Sequence, residues 1–325
     1  MALFSFNKKN IPQTGAITTQ NMALQQAKKT SKLLTFVTIC LALIAFAANS
    51  VLCRLALGDS TIDPAGFTAI RMLSGAIMLM LIVMLFTNKS LAHSRLTLRR
   101  VFSVKNAQGW LASTMLFGYA IFFSFAYIKL DTASGALILF ATVQFCMIGA
   151  SVYKGHHLYI KEWLGVLISF AGFVLLMLPS ATQPSLVGFV LMVISGIFWA
   201  FYTLLGRNAQ QPVLLTAENF IRCIPVALIS LCFSVSLYSF SWQGAWYAVA
   251  SGAIASGLGY SLWYLVLKNI SITQAAISQL SVPLIAALGG VVFVGESLTN
   301  NLILSGGLIL LGIFLVSFKK QKQVN

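Results

Sequence analysis

Residues Lys129 to Leu175 read KLDTASGALILFATVQFCMIGASVYKGHHLYIKEWLGVLISFAGFVL, and their pattern returns without a gap, 140 positions later, as Asn269 to Leu315. At that shift Ala136 falls on Ala276, Gly149 on Gly289, Val152 on Val292, Gly155 on Gly295, Leu158 on Leu298, Leu164 on Leu304 and Gly172 on Gly312. Apolar runs match one another by chance, but glycines matched around the same break between runs are less expected. Each copy reads as a helix rich in small residues, a short glycine-containing loop (Lys154-Gly155-His156-His157, then Gly295-Glu296-Ser297) and a second apolar helix. The chain therefore reads as a duplication.

The composition around this repeat is that of a membrane protein. Of 325 residues, 58% are hydrophobic and 8% charged, and apolar runs of about 20 residues, each long enough to cross about 30 Å of hydrocarbon, recur end to end. Strands crossing a bilayer would show short alternating segments and need closure to hide their edges, so continuous runs mean helices. Ten spans are expected: 33–57, 65–87, 107–128, 132–153, 162–178, 186–205, 213–237, 245–267, 272–294 and 302–318. Gly58-Asp59, Asp63-Pro64, Pro179, Pro184, Gln211-Pro212 and Lys268-Asn269 punctuate them.

The net charge of +15 does not indicate a nucleic-acid partner, because the basic residues sit at span ends, where they set orientation. With the first tail inside, the inner segments carry 17 Lys and Arg, and the outer ones only Arg54 and Lys129. Both termini are thus expected in the cytoplasm. Five spans per half, an odd number, turn the second half upside down relative to the first, which makes the duplication an inverted repeat. The organisation is a polar tail over 1–32, a first five-helix repeat over 33–180, a second over 185–318 and a short tail over 319–325. Residues Ala16 to Lys29 fit either a weak surface helix or a disordered tail, and 1–32 lacks the apolar core of a signal peptide. The five cysteines lie in or beside apolar runs without CxxC spacing and read as small buried hydrophobes.

Ionisable residues within spans are few. Arg71 in the second span and Arg222 in the seventh stand in corresponding helices, with Arg54 ending the first. Glu218 precedes Arg222 by four residues on one helical face, which predicts a structural ion pair. Arg71 has no acid within four residues. A guanidinium in hydrocarbon costs at least about 2.5 kcal/mol, so Arg71 calls for another helix, a carbonyl or a ligand anion, with snorkelling as the rival reading. Asn49, Gln144 and Gln279 are uncharged polar residues at depth, each suited to ligand contact or to interhelical hydrogen bonding. Pro283, one turn after Gln279, predicts a kink in span nine. Tyr119, Trp199, Tyr202, Tyr260, Trp263 and Tyr264 lie deep enough to stack on a flat or apolar ligand or to pack. Trp110, Trp163, Trp242 and Trp246 lie at span ends and read as interface anchors.

The chain carries no Ser-His-Asp grouping, no HExxH, no phosphate-binding Gly-Lys loop and no clustered carboxylates, and His156-His157 has no third metal ligand nearby. No cofactor, metal or catalytic site is expected. Internal repeats in a membrane chain point to transport of a small molecule held between the halves. A membrane-embedded enzyme or lipid-handling protein would need a reactive polar cluster, and a receptor would carry bulkier loops.

Several motifs together resemble the EamA group of the ten-helix drug/metabolite transporter superfamily. They are Ala48-Asn49-Ser50-Val51 running to Arg54, then Asp63-Pro64 with Phe67 and Arg71, then Gly259-Tyr260-Ser261-Leu262-Trp263-Tyr264, Ala275 to Pro283 and Gly295-Glu296-Ser297-Leu298. The resemblance spans about Leu33 to Phe318. The first copy departs from it, with Val143 opposite Pro283 and His156 opposite Glu296. It implies alternating access around a central cavity, location in a bacterial inner membrane, and export of small metabolites such as amino acids, or of drugs. Asn49, Arg71, Tyr119, Gln144, Trp199, Tyr202, Trp263 and Gln279 are the expected substrate or gating residues.

Overall fold

The computed structural model describes residues 14–86, 101–103, 105–153, 155, 159–177, 184–206, 209–233, 240–267, 270 and 278–317, with side chains from Leu33 onward. The outer parts of both tails, His156-His157 and Ala275 to Ile277 lie outside the described residues. Among the described residues the elements are all helical, apart from one isolated bridge between Ile62 and Phe240. In chain order they are α1 (Thr14–Leu57), α2 (Pro64–Phe86), α3 (Ala107–Tyr127), α4 (Thr132–Tyr153) and α5 (Ile160–Leu176). The second series is α6 (Leu186–Gly206), α7 (Pro212–Phe233), α8 (Trp242–Leu267), α9 (Val282–Val294) and α10 (Asn300–Ser317). Seven of these are long and apolar enough to cross a membrane, whereas α5, α9 and α10 are shorter.

Local chemistry fixes the ends. Asp63 Oδ1 accepts from the amides of Ala65 and Gly66 at the start of α2, where Pro64 gives up no needed hydrogen bond. Asn106 caps α3 through Gly109, and Ser241 caps α8 through Gly244. Just before Pro283 the helical path is interrupted by a turn at Leu280-Ser281. Pro283 itself sits in the first turn of α9, where its missing N–H costs nothing. Helix α8 is continuous, but its middle, Ser251–Leu258, widens into π geometry, a form that frequently marks functional sites.

The helix contacts follow the repeat. Numbering the halves α1–α5 and α6–α10, the pairs α2·α7, α4·α9 and α5·α10 join corresponding helices. The pairs α3·α6 and α1·α8 exchange under the same relation, as do α4·α6 and α1·α9, and α2·α8 and α3·α7. The loop glycines Gly155 and Gly295, aligned in the sequence, both adopt positive φ, +88° and +76°. Helices α5 and α10 pack backbone to backbone: a Cβ on Gly172 would stand 2.9 Å from the Ser305 carbonyl oxygen, and one on Gly165 would stand 2.8 Å from Val316. Rising numbers on α5 meet falling numbers on α10, so these corresponding helices run in opposite senses. Ser169 Oγ donates across the same seam to the Ile309 carbonyl at 3.1 Å.

The outer surface is apolar. Phe36, Leu85, Phe86, Phe170, Leu288, Val292 and Phe293 are exposed, as suits a surface solvated by lipid chains. Trp163, Trp242 and Trp246 are exposed as well. Polar contacts are concentrated inside.

Candidate functional site

The interior converges on the Tyr119 hydroxyl in the middle of α3. Its oxygen accepts from Arg71 Nη2 on α2 and from Asn49 Nδ2 on α1, both at 3.1 Å. Asn49 Oδ1 in turn accepts from Ser251 Oγ at 2.6 Å, and Arg71 Nε reaches Ser256 Oγ at 3.4 Å. Ser251 and Ser256 both belong to the π stretch of α8, so residues of the first half are tied to the widened helix of the second. Close packing makes this possible: a Cβ at Gly75 would meet Phe220 and the Gly252 carbonyl.

Arg71 is fully buried, and its guanidinium carbon lies 5.2 Å from the ring centres of both Tyr119 and Phe123. Such contacts favour a desolvated cation by about 2 kcal/mol. Its Nη1 has no hydrogen-bond partner. Arg222 is equally buried but fully satisfied: Nε donates to the Val101 carbonyl at 2.6 Å, Nη1 to Asn219 Oδ1 at 3.1 Å and Nη2 to Glu218 Oε2 at 3.1 Å. The i,i+4 pair expected from sequence is therefore in place, and the two arginines of corresponding helices have different environments.

A central cavity of about 20 Å³ lies beside Tyr119, lined by Phe46, Asn49, Phe123, Trp199 and Tyr260 among others. That is room for about one water molecule. Its aromatic wall is continuous: Trp199 lies 4.8 Å from Tyr119, 5.1 Å from Tyr260 and 5.5 Å from Tyr202, measured between ring centres. Of the residues singled out in the sequence, Asn49, Tyr119, Trp199 and Tyr260 line the cavity, and Arg71 stands one hydrogen bond behind it. Tyr202 is buried behind Trp199, and Trp263 packs on Phe46 at 5.8 Å. Gln144 is buried one turn beyond the lining residue Phe140, and Gln279 is half-buried just before α9; neither lines the cavity. Ser251, Ser256, Phe46 and Phe123 escaped the sequence reading, since serine and phenylalanine are common everywhere in such helices.

A second cleft, of about 450 Å³, opens at the ends of the helices between Lys129, Asp131, Pro184, Glu296 and Asn301. At its edge Arg54 donates to Glu296 Oε1 (3.2 Å), the Tyr127 carbonyl (3.2 Å) and Asp131 Oδ1 (3.4 Å). Glu296 also accepts from the Thr132 amide at 3.0 Å.

A family sequence pattern matches residues 33–178 and again 186–318, one match to each half of the fold. The chain belongs to the EamA-like transporter family. Among relatives of this EamA-like transporter, an uncharacterized protein of Pseudomonas aeruginosa is 41% identical over 82% of this chain and 89% of its own length. An uncharacterized transporter of Archaeoglobus fulgidus is 25% identical over 62% of this chain and 74% of its own. The uncharacterized transporter YoaV of Bacillus subtilis is 20% identical over 80% and 89%. A solved crystal structure, 18% identical, superposes with a TM-score of 0.57 over 85% of this chain and 97% of the other, a likeness of fold alone. The chain is thus an integral membrane transporter.

Proposed function

We propose that this transporter exports small metabolites, amino acids or related compounds among them, or drugs, from a bacterial cytoplasm across the inner membrane by alternating access. Ten spans in two inverted repeats, over 33–180 and 185–318 with both termini cytoplasmic, carry the movement. The observation that carries the reading is the cavity at Tyr119, where helices of both halves meet through hydrogen bonds and ring contacts that a rocking motion would break and remake. Trp199, Tyr119 and Tyr202 take the apolar part of the substrate. Asn49 offers polar contacts, and Arg71 orients Tyr119. Gln144, Gln279 and Trp263 stand outside the closed cavity and reach substrate only when it opens. Glu218 and Arg222 hold α7 in shape. The narrow cavity and the wider cleft beyond Arg54 fit a resting form closed at its centre.

The test is counterflow in proteoliposomes with a panel of amino acids, aromatic ones included, comparing wild type with Trp199→Ala at equal folded abundance. Accumulation of one class, lost in the variant, is the expected result. No counterflow of any amino acid from folded protein would move the substrate to another metabolite class.

A further inference from the structure

The chain has six acidic side chains, and each is placed away from Arg71. Asp59 is exposed in the turn after α1, and Asp63 caps α2. Asp131 and Glu296 take Arg54, Glu162 accepts from the Tyr159 amide, and Glu218 pairs with Arg222. The fully buried Arg71 guanidinium therefore has no carboxylate of this chain opposite it, and its Nη1 is unpartnered.

The groups between Arg71 and the cavity have the same imbalance. Tyr119 Oη already accepts two hydrogen bonds, from Arg71 and Asn49, so its own proton is left to donate. Tyr260 brings a second phenol hydroxyl to the same cavity, its ring packed like that of Tyr119 against Trp199. Both side chains line the cavity, together with Asn49 and Ser50. A water-sized space is thus bordered by two phenol hydroxyls, with an uncompensated cation one hydrogen bond away.

We infer that the cavity is a site for a small monovalent anion, held by the hydroxyls of Tyr119 and Tyr260 and balanced by the charge of Arg71. A halide ion and the leading oxygen of a carboxylate both suit that space and donor set. This rests on the same cavity as the proposed transport site and adds the charge of its occupant: either the carboxylate of the substrate enters here, or a resident halide does and is exchanged for it. Water alone would satisfy the donors but not the cation.

The experiment is thermal unfolding of the purified full-length protein in detergent, titrated separately with sodium chloride and with sodium acetate. Ionic strength is held constant with a bulky sulfonate buffer. Wild type shows saturable stabilisation by at least one of the two anions. Half-saturation moves up by about tenfold or more in Tyr260→Phe and in Arg71→Gln, because a hydrogen bond to a charged group is lost or the countercharge is removed. Arg54→Gln, at the other cleft, leaves it unchanged. Saturation by acetate alone assigns the site to a substrate carboxylate, and saturation by chloride that acetate competes away assigns it to a resident halide. Tyr260→Phe keeps the charge and the ring, so it reports even if Arg71→Gln does not fold. Non-saturating shifts in wild type, or saturable shifts unaltered in Tyr260→Phe, overturn the inference. Anion binding without counterflow would count against the transport reading alone, and counterflow without anion binding against this one alone.

Discussion

The guanidinium of Arg54 meets the carboxylate of Glu296 at 3.2 Å although 242 residues separate them in sequence. Arg54 is in the last turn of α1, and Glu296 lies between α9 and α10, so the pair joins the two halves. The same carboxylate accepts from the amide and hydroxyl of Thr132 in the first turn of α4, where a helix's free N–H groups and its dipole favour negative charge. One acidic side chain in the break of the second copy thereby caps the helix that opens the first.

Arg54→Ala and Glu296→Ala should each lower stability by about 1–3 kcal/mol, since each leaves a part-buried charge with fewer partners. The double variant should lose less than the sum, by about 0.5 kcal/mol or more, as expected for groups in contact. Unfolding midpoints of the four proteins in one detergent measure this. Strict additivity would mean the two groups are not coupled.

Arg222→Ala should be severely destabilising, by about 3–5 kcal/mol, because it strands Glu218 in the interior. Removing Glu218 as well should recover part of that loss. Arg71→Ala should impair transport more than the Arg222→Ala/Glu218→Ala double variant does at equal membrane abundance. Equal loss in both would undo the division between a structural arginine and a site arginine.

Tyr119→Phe removes the oxygen that Arg71 and Asn49 share while keeping the ring on Trp199 and Phe123. Transport should fall about tenfold or more if these two hydrogen bonds shape the site, with a modest stability loss of about 1–2 kcal/mol. Initial rates of counterflow, set beside the unfolding midpoint, separate the two effects.

Gly312→Ala should cost about 1–3 kcal/mol by overpacking, because its Cβ would meet Ser169 and the Gly165 carbonyl across the α5–α10 seam. Gly307→Ala, on the same helix with open space at its Cβ, should be neutral or stabilising by up to about 1 kcal/mol. The difference between the two midpoints is the readout, and equal effects would mean that the seam does not depend on close backbone approach.

Gly155→Ala and Gly295→Ala should each cost about 1–2 kcal/mol, since both backbones hold positive φ and neither Cβ would meet a neighbour. Matching losses at two positions 140 residues apart would be the energetic signature of the repeat, and a loss at only one would limit the equivalence of the two loops.

Features set by local spacing were legible in the sequence. Apolar runs of membrane-crossing length gave the helical class, and the paired glycines gave the repeat, because a loop that needs positive φ keeps glycine wherever it recurs. Glu218 and Arg222 were readable for the same reason: four residues bring two side chains together on any helix, whatever surrounds it. What surrounds Arg71 was not. Its partners Tyr119 and Ser256 stand 48 and 185 residues away, and they meet it only through the crossing and rotation of α2, α3 and α8. Helices that are apolar nearly all round carry little in their pattern to say which face looks inward. For that reason Gln144 and Gln279, polar and deep, lie off the closed cavity, while Phe46 and Phe123 line it. Length, hydropathy and the recurring glycine pattern determined that this chain is a duplicated membrane helix bundle. Only the tertiary packing decided that one buried arginine would be satisfied by its own chain and the other left without a carboxylate partner, because a countercharge depends on distance in space and not on distance along the sequence.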